Sequence, residues 1–504
     1  MLENYVKKIL SSKVYDLAIE TPLSHAPRLS NRFDTQIWLK REDMQSVFSF
    51  KIRGAYNRMA RLSDAERERG VITASAGNHA QGVAAGAQHL KVRATIVMGK
   101  NTPSIKVNAV RDRGANVVLF GDNYDAAAGR AKELAERDSL IYIPPYDDVD
   151  VIAGQGTIGL EIMNQHSEPL DAIFVPVGGG GLIAGITAYV KYLYPKTKIV
   201  GVEAEGSASL HAAMAAGRRV KLPAESLDLF ADGVSVAQVG AEPFKIARRY
   251  VDEVVVANVD EICAAIKDVF EDTRCMSEPA GALAIAGMKL YLAAHPEIRS
   301  AVAILSGANV NFDRLRHIAE RAEIGESREA ILAVQIPEKR GSFLQFARAL
   351  GSRSVTEFNY RYADADNAYI YVGLRTESSA DRSIVAAGLD DRGYQVFDMT
   401  DNEAAKVHVR HMVGGRRPTP VGEILFRFEF PERPGALLQF LRGLGTRWNI
   451  TLFHYRNHGS AWGRVLVGFD AEKQDGVILT KHLKKIGYRF WREEGNEAYD
   501  LFLR

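Results

Sequence analysis

Between about residues 70 and 320, short runs of β-branched apolar residues alternate with small-residue helical patterns. GVITASA (70–76) predicts a strand and NHAQGVAAGAQHL (78–90) a helix. RATIVMG (93–99) predicts the next strand, followed by a helix opening at Pro103 and Ser104 and the strand NVVLFG (116–121). Further on, DAIFVPV (171–177) runs into four glycines and a helix, and KIVGVEA (198–204) and SAVAILSG (300–307) repeat the strand-then-glycine pattern. Nearly continuous apolar strands separated by helices imply an α/β region whose parallel sheets are covered on both faces. In such sheets ligands bind beyond the carboxyl ends of the strands, where these glycine-rich turns fall.

Near residue 320 the pattern changes. AERAEIGESREA (319–330) is charged and poor in apolar residues, and predicts the end of a helix leading into a linker. Beyond it IPEKRGSFLQFARALGSRSVTEFNYRY (336–362) aligns with FPERPGALLQFLRGLGTRWNITLFHYR (430–456). Pro337, Gly341, Gln345, Phe346, Leu350 and Gly351 recur as Pro431, Gly435, Gln439, Phe440, Leu444 and Gly445, and Gly373 recurs as Gly468. Each copy predicts strand, turn, amphipathic helix, strand, turn, strand. HMVGGRRPTPVGE (411–423) joins the copies as a Gly/Pro/Arg linker.

Composition narrows the function classes. At 504 residues the chain exceeds a single core, and about 150 residues per domain suggests three or four. A net charge of +2 with no polybasic block excludes nucleic acid as the expected partner. Cys263 and Cys275 cannot build a disulfide framework and fit a reducing cytoplasm. The N-terminus lacks the apolar core of a signal peptide, and no apolar run reaches the roughly 18 residues of a membrane span.

Candidate chemistry sits in four short motifs. In SFKIRGA (49–55), Lys51 follows the ring of Phe50; a lysine whose pKa falls through desolvation can form a Schiff base with an aldehyde. In VPVGGGGLIAG (175–185), Gly178, Gly179, Gly180, Gly181 and Leu182 join a strand to a helix and leave backbone N–H groups to converge on an anion. The spacing matches neither a P-loop nor a dinucleotide fingerprint. In SAGNHAQG (75–82), Ser75, Gly77 and Asn78 can offer a hydroxyl, amides and a side-chain amide to a carboxylate, with Ala76 and His79 beside them. Taken alone, Ser75 and Asn78 also fit ordinary helix capping, and His79 fits packing. In LSGANVN (305–311), Ser306 could set a hydroxyl against a ring nitrogen. An aldehyde, a hydroxyl, a phosphate and a ring nitrogen together describe pyridoxal 5′-phosphate. No metal-ligating set is assigned.

These motifs, with ETPLSHAPRLS (20–30) and LKREDMQSVFSFKIRGA (39–55), closely resemble the fold-type II pyridoxal-phosphate enzymes, and within them the threonine/serine dehydratases. With the C-terminal repeat added, the whole chain resembles the biosynthetic threonine deaminases. The resemblance implies a catalytic region over 1–320 made of two α/β subdomains like tryptophan synthase β, a linker at 321–330, and ACT-like α+β domains at 331–410 and 424–504. It implies Lys51 as Schiff-base lysine and base, Phe50 beside the pyridine ring, and Asn78 on the ring hydroxyl. It also implies Gly178–Leu182 on the phosphate, Ser306 at the ring nitrogen, and residues 75–79 around the substrate. L-threonine would be deaminated to 2-oxobutanoate and ammonia, with some activity on L-serine, in a cytoplasmic homotetramer. Isoleucine would inhibit through the repeats and valine would oppose it, with Phe358, Asn359, Tyr360, Phe453, His454 and Tyr455 as candidate effector positions.

Related serine racemases resemble SSGNH where this chain has Ala76, which has no proton to give; elimination is therefore expected over racemisation. Two alternatives remain at this level. One is another fold-type II enzyme, such as a threonine or cysteine synthase, which the tandem module does not suit. The other is a sensor without turnover, which would have no need of Lys51.

Overall fold

The computed structural model describes residues 1–337 and the remainder except 338–344, 347–348, 351–352, 354, 362–366, 412–422, 432–442, 445–447, 457–461, 472 and 503–504. The chain divides into two compact units, Met1–Ile318 and Ala319–Arg504.

The first unit contains two sheets. Strands β1 (Leu23–His25), β2 (Gln36–Arg41), β7 (Ala172–Pro176), β8 (Lys198–Ala204), β9 (Glu253–Ala257) and β10 (Ser300–Leu305) form a six-stranded sheet in the order β1-β2-β10-β7-β8-β9. All its pairings are parallel except β1 with β2. Strands β3 (Val71–Ala74), β4 (Ala94–Met98), β5 (Asn116–Leu119) and β6 (Ile141–Tyr142) form a second, wholly parallel sheet in the order β5-β4-β3-β6. β3, β7 and β10 are buried along almost their whole length, as the uninterrupted apolar runs require. Ile173, Val175, Ile199, Val302 and Ile304 from the large sheet share one core with Ile158, Ile183 and Ile186 from the helices above it. Each such side chain contributes about 1.5–3 kcal/mol on burial. The helix Pro279–Ala294, apolar except for Lys289, is buried on every side from Pro279 to Met288.

The helix Lys51–Ala60 is placed by glycines in its neighbours. A Cβ on Gly82 would stand 3.1 Å from the Lys51 carbonyl, and one on Gly154 would stand 2.8 Å from Gly54 Cα. Backbones can approach that closely only without side chains. Gly82 thus fixes the helix Asn78–Leu90 against the first turn that carries Lys51.

In the second unit the two repeats fold alike. β11 (Glu329–Pro337), β12 (Val355–Arg361), β13 (Asn367–Arg375) and β14 (Gln395–Asp398) form an antiparallel sheet in the order β12-β13-β11-β14. β15 (Glu423–Pro431), β16 (Asn449–Arg456), β17 (Trp462–Asp470) and β18 (Arg489–Arg492) repeat that order as β16-β17-β15-β18. The register shifts at the same place in both copies, and the recurrent glycines sit there: Gly373 opposite Glu357 and Gly468 opposite Leu452. A helix (Ser379–Asp390; Gly476–Ile486) and the fourth strand complete each copy, beyond the recurrent positions that revealed the repeat.

Residues 321–330, expected as a linker, carry instead the end of the helix Leu315–Gly325 and the start of β11. The charged residues here are paired rather than solvated: Arg321 is buried against Glu403, and Glu329 against Arg410. Paired charges can sit inside a fold where local composition predicts solvent. Most of the Gly/Pro/Arg linker, 412–422, lies outside the described residues. Among the described residues no helix is long and apolar enough to cross a membrane.

Candidate active site

Lys51 is the first residue of the helix Lys51–Ala60, with Phe50 at its N-cap. Its amine donates to Pro145 O at 3.3 Å and lies 5.1 Å from the centre of the Phe50 ring. Burial lowers its pKa to about 8, against the opposing pull of the Glu278 carboxylate. A substantial neutral fraction near physiological pH makes this amine a nucleophile.

The turn after β3 faces the same helix start. Ser75 Oγ accepts from Gly77 N–H at 3.2 Å, and Gly77 caps the helix that Asn78 opens. Ala76 rests against the core of the smaller sheet. Asn78 donates to Glu278 Oε1 at 2.5 Å and accepts from Asn309 Nδ2 at 2.8 Å, so its amide is held in one orientation. His79 is buried: its Nε2 stands 3.0 Å from Ile143 O. Burial, with the Lys51 charge adding to it, lowers its pKa to about 3 and keeps the ring neutral. The His79 side chain is therefore a packed, hydrogen-bonded histidine, which leaves its backbone N–H as its contribution to a ligand at this turn.

After β7 the chain turns through Gly178, Gly179 and Gly180, and the helix Gly181–Leu193 begins. Gly180 caps that helix at φ +87°, a left-handed conformation that favours glycine. The loop has no room for side chains, since a Cβ on Gly178 would stand 2.9 Å from Val234 backbone and one on Gly179 2.1 Å from the Tyr146 ring. The first N–H groups of the helix, at Gly181 and Leu182, have no intrahelical acceptors, and the helix dipole favours an anion there.

Ser306, at the end of β10, is buried, and its hydroxyl donates to Ala280 O at 3.2 Å. Its carbonyl accepts from Phe50 N–H at 3.3 Å, and Ser49 bridges to Gly307, which ties this turn to the lysine helix. The motifs in the first unit therefore converge through shared contacts. The donor set suits pyridoxal 5′-phosphate: a nucleophilic amine, an oriented amide, a terminal hydroxyl, and a side-chain-free loop at a helix N-terminus.

Five neighbours escaped the sequence reading: Glu278, Asp232, Lys106, Asn309 and Tyr146. Asn309 lay inside a motif already singled out; Glu278 directly precedes the proline that opens the helix Pro279–Ala294, a legible helix start whose burial was not legible. The candidate effector positions fall on β12 (Phe358, Asn359, Tyr360) and β16 (Phe453, His454, Tyr455), edge strands of their sheets, at matching register opposite β13 and β17. Their side chains lie outside the described residues.

Residues 14–307 match the family model of pyridoxal-phosphate dependent enzymes, and residues 320–409 and 415–503 match the C-terminal regulatory domain of threonine dehydratase. The chain is 52% identical over 501 residues to the biosynthetic L-threonine dehydratase IlvA of Escherichia coli K12, covering 99% of this chain and 97% of that one. It is 48% identical over 517 residues to the mitochondrial threonine dehydratase of Saccharomyces cerevisiae, covering 99% and 89%. Among solved structures, the processed threonine deaminase isoform 2 of Solanum lycopersicum is 51% identical with a TM-score of 0.62, covering 64% of this chain and 93% of that one. The serine racemase of Dictyostelium discoideum is 32% identical with a TM-score of 0.57, covering 62% and 99%. By its fold, its site and these relatives, the chain belongs to the threonine dehydratase family of pyridoxal-phosphate dependent enzymes, in the branch that carries C-terminal regulatory domains.

Proposed function

We propose that this chain deaminates L-threonine to 2-oxobutanoate and ammonia, the first step of isoleucine biosynthesis, with Lys51 as both cofactor anchor and base. The observation that carries the assignment of Lys51 is its amine, with a pKa lowered to about 8 by burial, at the junction of three ligand-shaped turns. Bound pyridoxal 5′-phosphate supplies an electron sink for the bonds broken at the substrate's Cα and Cβ. Gly178–Leu182 would hold its phosphate, Asn78 would face its ring hydroxyl, Phe50 would flank the ring, and Ser306 would meet the ring nitrogen.

The residues divide the work. The Ser75–His79 turn offers backbone N–H groups and the Ser75 hydroxyl to the substrate carboxylate and so orients the Cα–H bond. Lys51, as a free amine, would take the Cα proton. Ser306 would bring a neutral hydroxyl rather than a carboxylate to the ring nitrogen and so would not hold it protonated, and the β-hydroxyl would leave as water with the proton that Lys51 has taken. Ala76 offers no proton on the opposite face, which keeps the reaction on elimination. L-serine is expected as a poorer substrate.

The second unit is assigned feedback control: isoleucine inhibits and valine opposes it, with the edge strands β12 and β16 as the effector positions. Two equivalent edge strands per chain also suit pairing between subunits, and a homotetramer working in the cytoplasm is the assembly we assign. The test of the catalytic reading is the visible absorbance band of a lysine-linked cofactor together with a 2-oxo acid assay. Wild type should show both and Lys51→Ala neither; turnover that survived in Lys51→Ala would overturn the assignment.

A further inference from the structure

The charged groups around Asn78 join the two halves of the catalytic unit. Asp232, in the segment between β8 and β9, pairs with Lys106 at 2.5 Å and with Arg314 at 3.6 Å. Lys106 belongs to the helix Ser104–Arg111, between strands β4 and β5 of the smaller sheet, whereas Asp232 and Arg314 belong to the half built on the larger one. The Lys106–Asp232 pair therefore crosses from one half to the other. Next to Asp232, a Cβ on Gly233 would stand 2.9 Å from Ala280 and 3.9 Å from Glu278 Oε1, so this loop lies against the Glu278 carboxyl.

Glu278 is buried and makes one hydrogen bond of particular consequence, the 2.5 Å contact from Asn78. The oxygen of the Asn78 amide accepts from Asn309 Nδ2, which also donates to Val47 O at 2.8 Å. One N–H of Asn78 then remains for a ligand. The charges that face Glu278 are Asp232, Lys106, Arg314 and Lys51. Burial, with Asp232 adding to it, raises the Glu278 pKa to about 7, and Asn78, Lys106 and Arg314 pull the other way. Burial also opposes ionisation of Asp232, yet Lys106 and Arg314 hold it down to about 2. Asp232 is thus a fixed charge, and Glu278 a variable one.

We propose that Glu278 is a positioning residue for Asn78 whose charge is set by the Lys106–Asp232–Arg314 cluster, so that the approach of the two halves of the catalytic unit is registered at the cofactor ring. The inference rests on the reading above that pyridoxal 5′-phosphate stands with its ring oxygen at Asn78. An ionised Glu278 places negative charge beside that oxygen and disfavours its anionic form; a protonated Glu278 does not. Drawing the halves apart removes the Lys106 charge from Asp232 and Glu278, which favours the protonated carboxyl.

The test is a pH titration of the visible absorbance of the holoenzyme. The wild-type band should change with one inflection near pH 7, the Glu278 value. Glu278→Gln, which keeps an acceptor for Asn78, should hold the band but lose the inflection. Asp232→Asn should move it down by about one pH unit, because the like charge is gone while Lys106 and Arg314 remain. Lys106→Met should move it up by a similar amount, because Asp232 then faces Glu278 with less compensation. A purely structural role cannot produce opposite shifts. Should Glu278→Gln fail to hold cofactor, the opposed shifts of the other two variants decide the matter. An unchanged inflection in Glu278→Gln, none in wild type, or shifts that are not opposed would overturn the inference. Absence of any lysine-linked band in wild type would instead defeat the cofactor reading beneath it.

Discussion

Two cationic residues, two positions apart in one motif, meet opposite fates. Arg53 is fully buried and doubly paired: it reaches Glu42 at 2.7 Å and Glu161 at 2.5 Å, and Lys40 closes the cluster on Glu161 at 2.6 Å. Tyr15 and Thr21 saturate the same carboxylates. Burial opposes the Arg53 charge, but Glu42 and Glu161 more than offset it and drive the guanidinium pKa upward. Lys51 faces a similar loss of water with only the more distant Glu278 in compensation, and its pKa falls to about 8. The contrast teaches that desolvation alone does not decide what a buried cation becomes. Where counter-charges are within hydrogen-bond reach the charge is locked and serves as scaffold; where they are withheld the charge is soft and the amine can react.

The strongest way to break the contrast is at its reactive end. Lys51→Ala removes the proposed covalent anchor and base; turnover of L-threonine should fall by at least about 10²–10⁴-fold, the contribution of a positioned proton-transfer group. Steady-state assay with saturating cofactor checks this, and the fold, measured by circular dichroism, should be unchanged. Next is the scaffold end. Arg53→Met leaves Glu42 and Glu161 short of their partner in a dry interior, and should cost about 3–5 kcal/mol in urea unfolding. Arg53→Lys should recover only part of that, since an ammonium cannot make the two-sided fork.

The softness of Lys51 has a pH signature of its own. Addition of pyridoxal 5′-phosphate to the cofactor-free protein needs the neutral amine, so its rate should rise with pH and level off above about 8, the folded value. The ordinary lysine value is 10.5. Between these two values the unfolded chain holds the proton that the folded one has lost, so the stability of the cofactor-free protein should increase with pH across that window. An uptake midpoint near 10 in stopped-flow absorbance would show that Lys51 is not desolvated.

How much of this was legible follows from where the information lies. The junctions that carry Lys51, the 178–182 loop, the 75–79 turn and Ser306 were readable as places in the fold because strand-to-helix turns are written locally, as an apolar run that ends in glycine, serine or asparagine. The repeat was readable because two copies sample the same constraint, and Gly373 and Gly468 indeed fall at one bulge in both sheets. Glu42, Glu161, Glu278 and Asp232 were not, because whether a carboxylate is buried depends on partners as far apart as Asn78 and Glu278, 200 positions away. The same cause hid the buried pairs Arg321–Glu403 and Arg410–Glu329 and turned a helix and a strand into an expected linker. β9, with only four apolar residues at Val254–Ala257, was too short to stand out beside the helix that follows it.

Smaller effects sharpen the contrast rather than break it. Ala76→Ser returns a hydroxyl to the turn opposite Lys51, and should add a proton donor without disturbing the charges on either side. Racemisation of L-serine, measured by chiral chromatography, should become detectable while threonine deamination declines modestly. If no D-serine forms, the absent hydroxyl is not what confines this site to elimination.

The smallest effect on turnover is expected from the largest deletion. Both halves of the contrast lie within Met1–Ile318, and so do the proposed cofactor positions. A chain ending at Ser327 keeps the helix Leu315–Gly325 whole and stops before β11, so it removes both repeats without cutting an element. Its threonine deamination in the absence of effectors should match the full chain, and its response to isoleucine and valine should vanish. Initial-rate curves with and without isoleucine read both quantities on one sample. Inhibition that survived would place the effector site among the first 327 residues and leave the repeats with assembly alone. A large loss of basal rate would mean that the soft charge of Lys51 depends on the second unit, which the contacts around that lysine, all drawn from residues before 318, argue against.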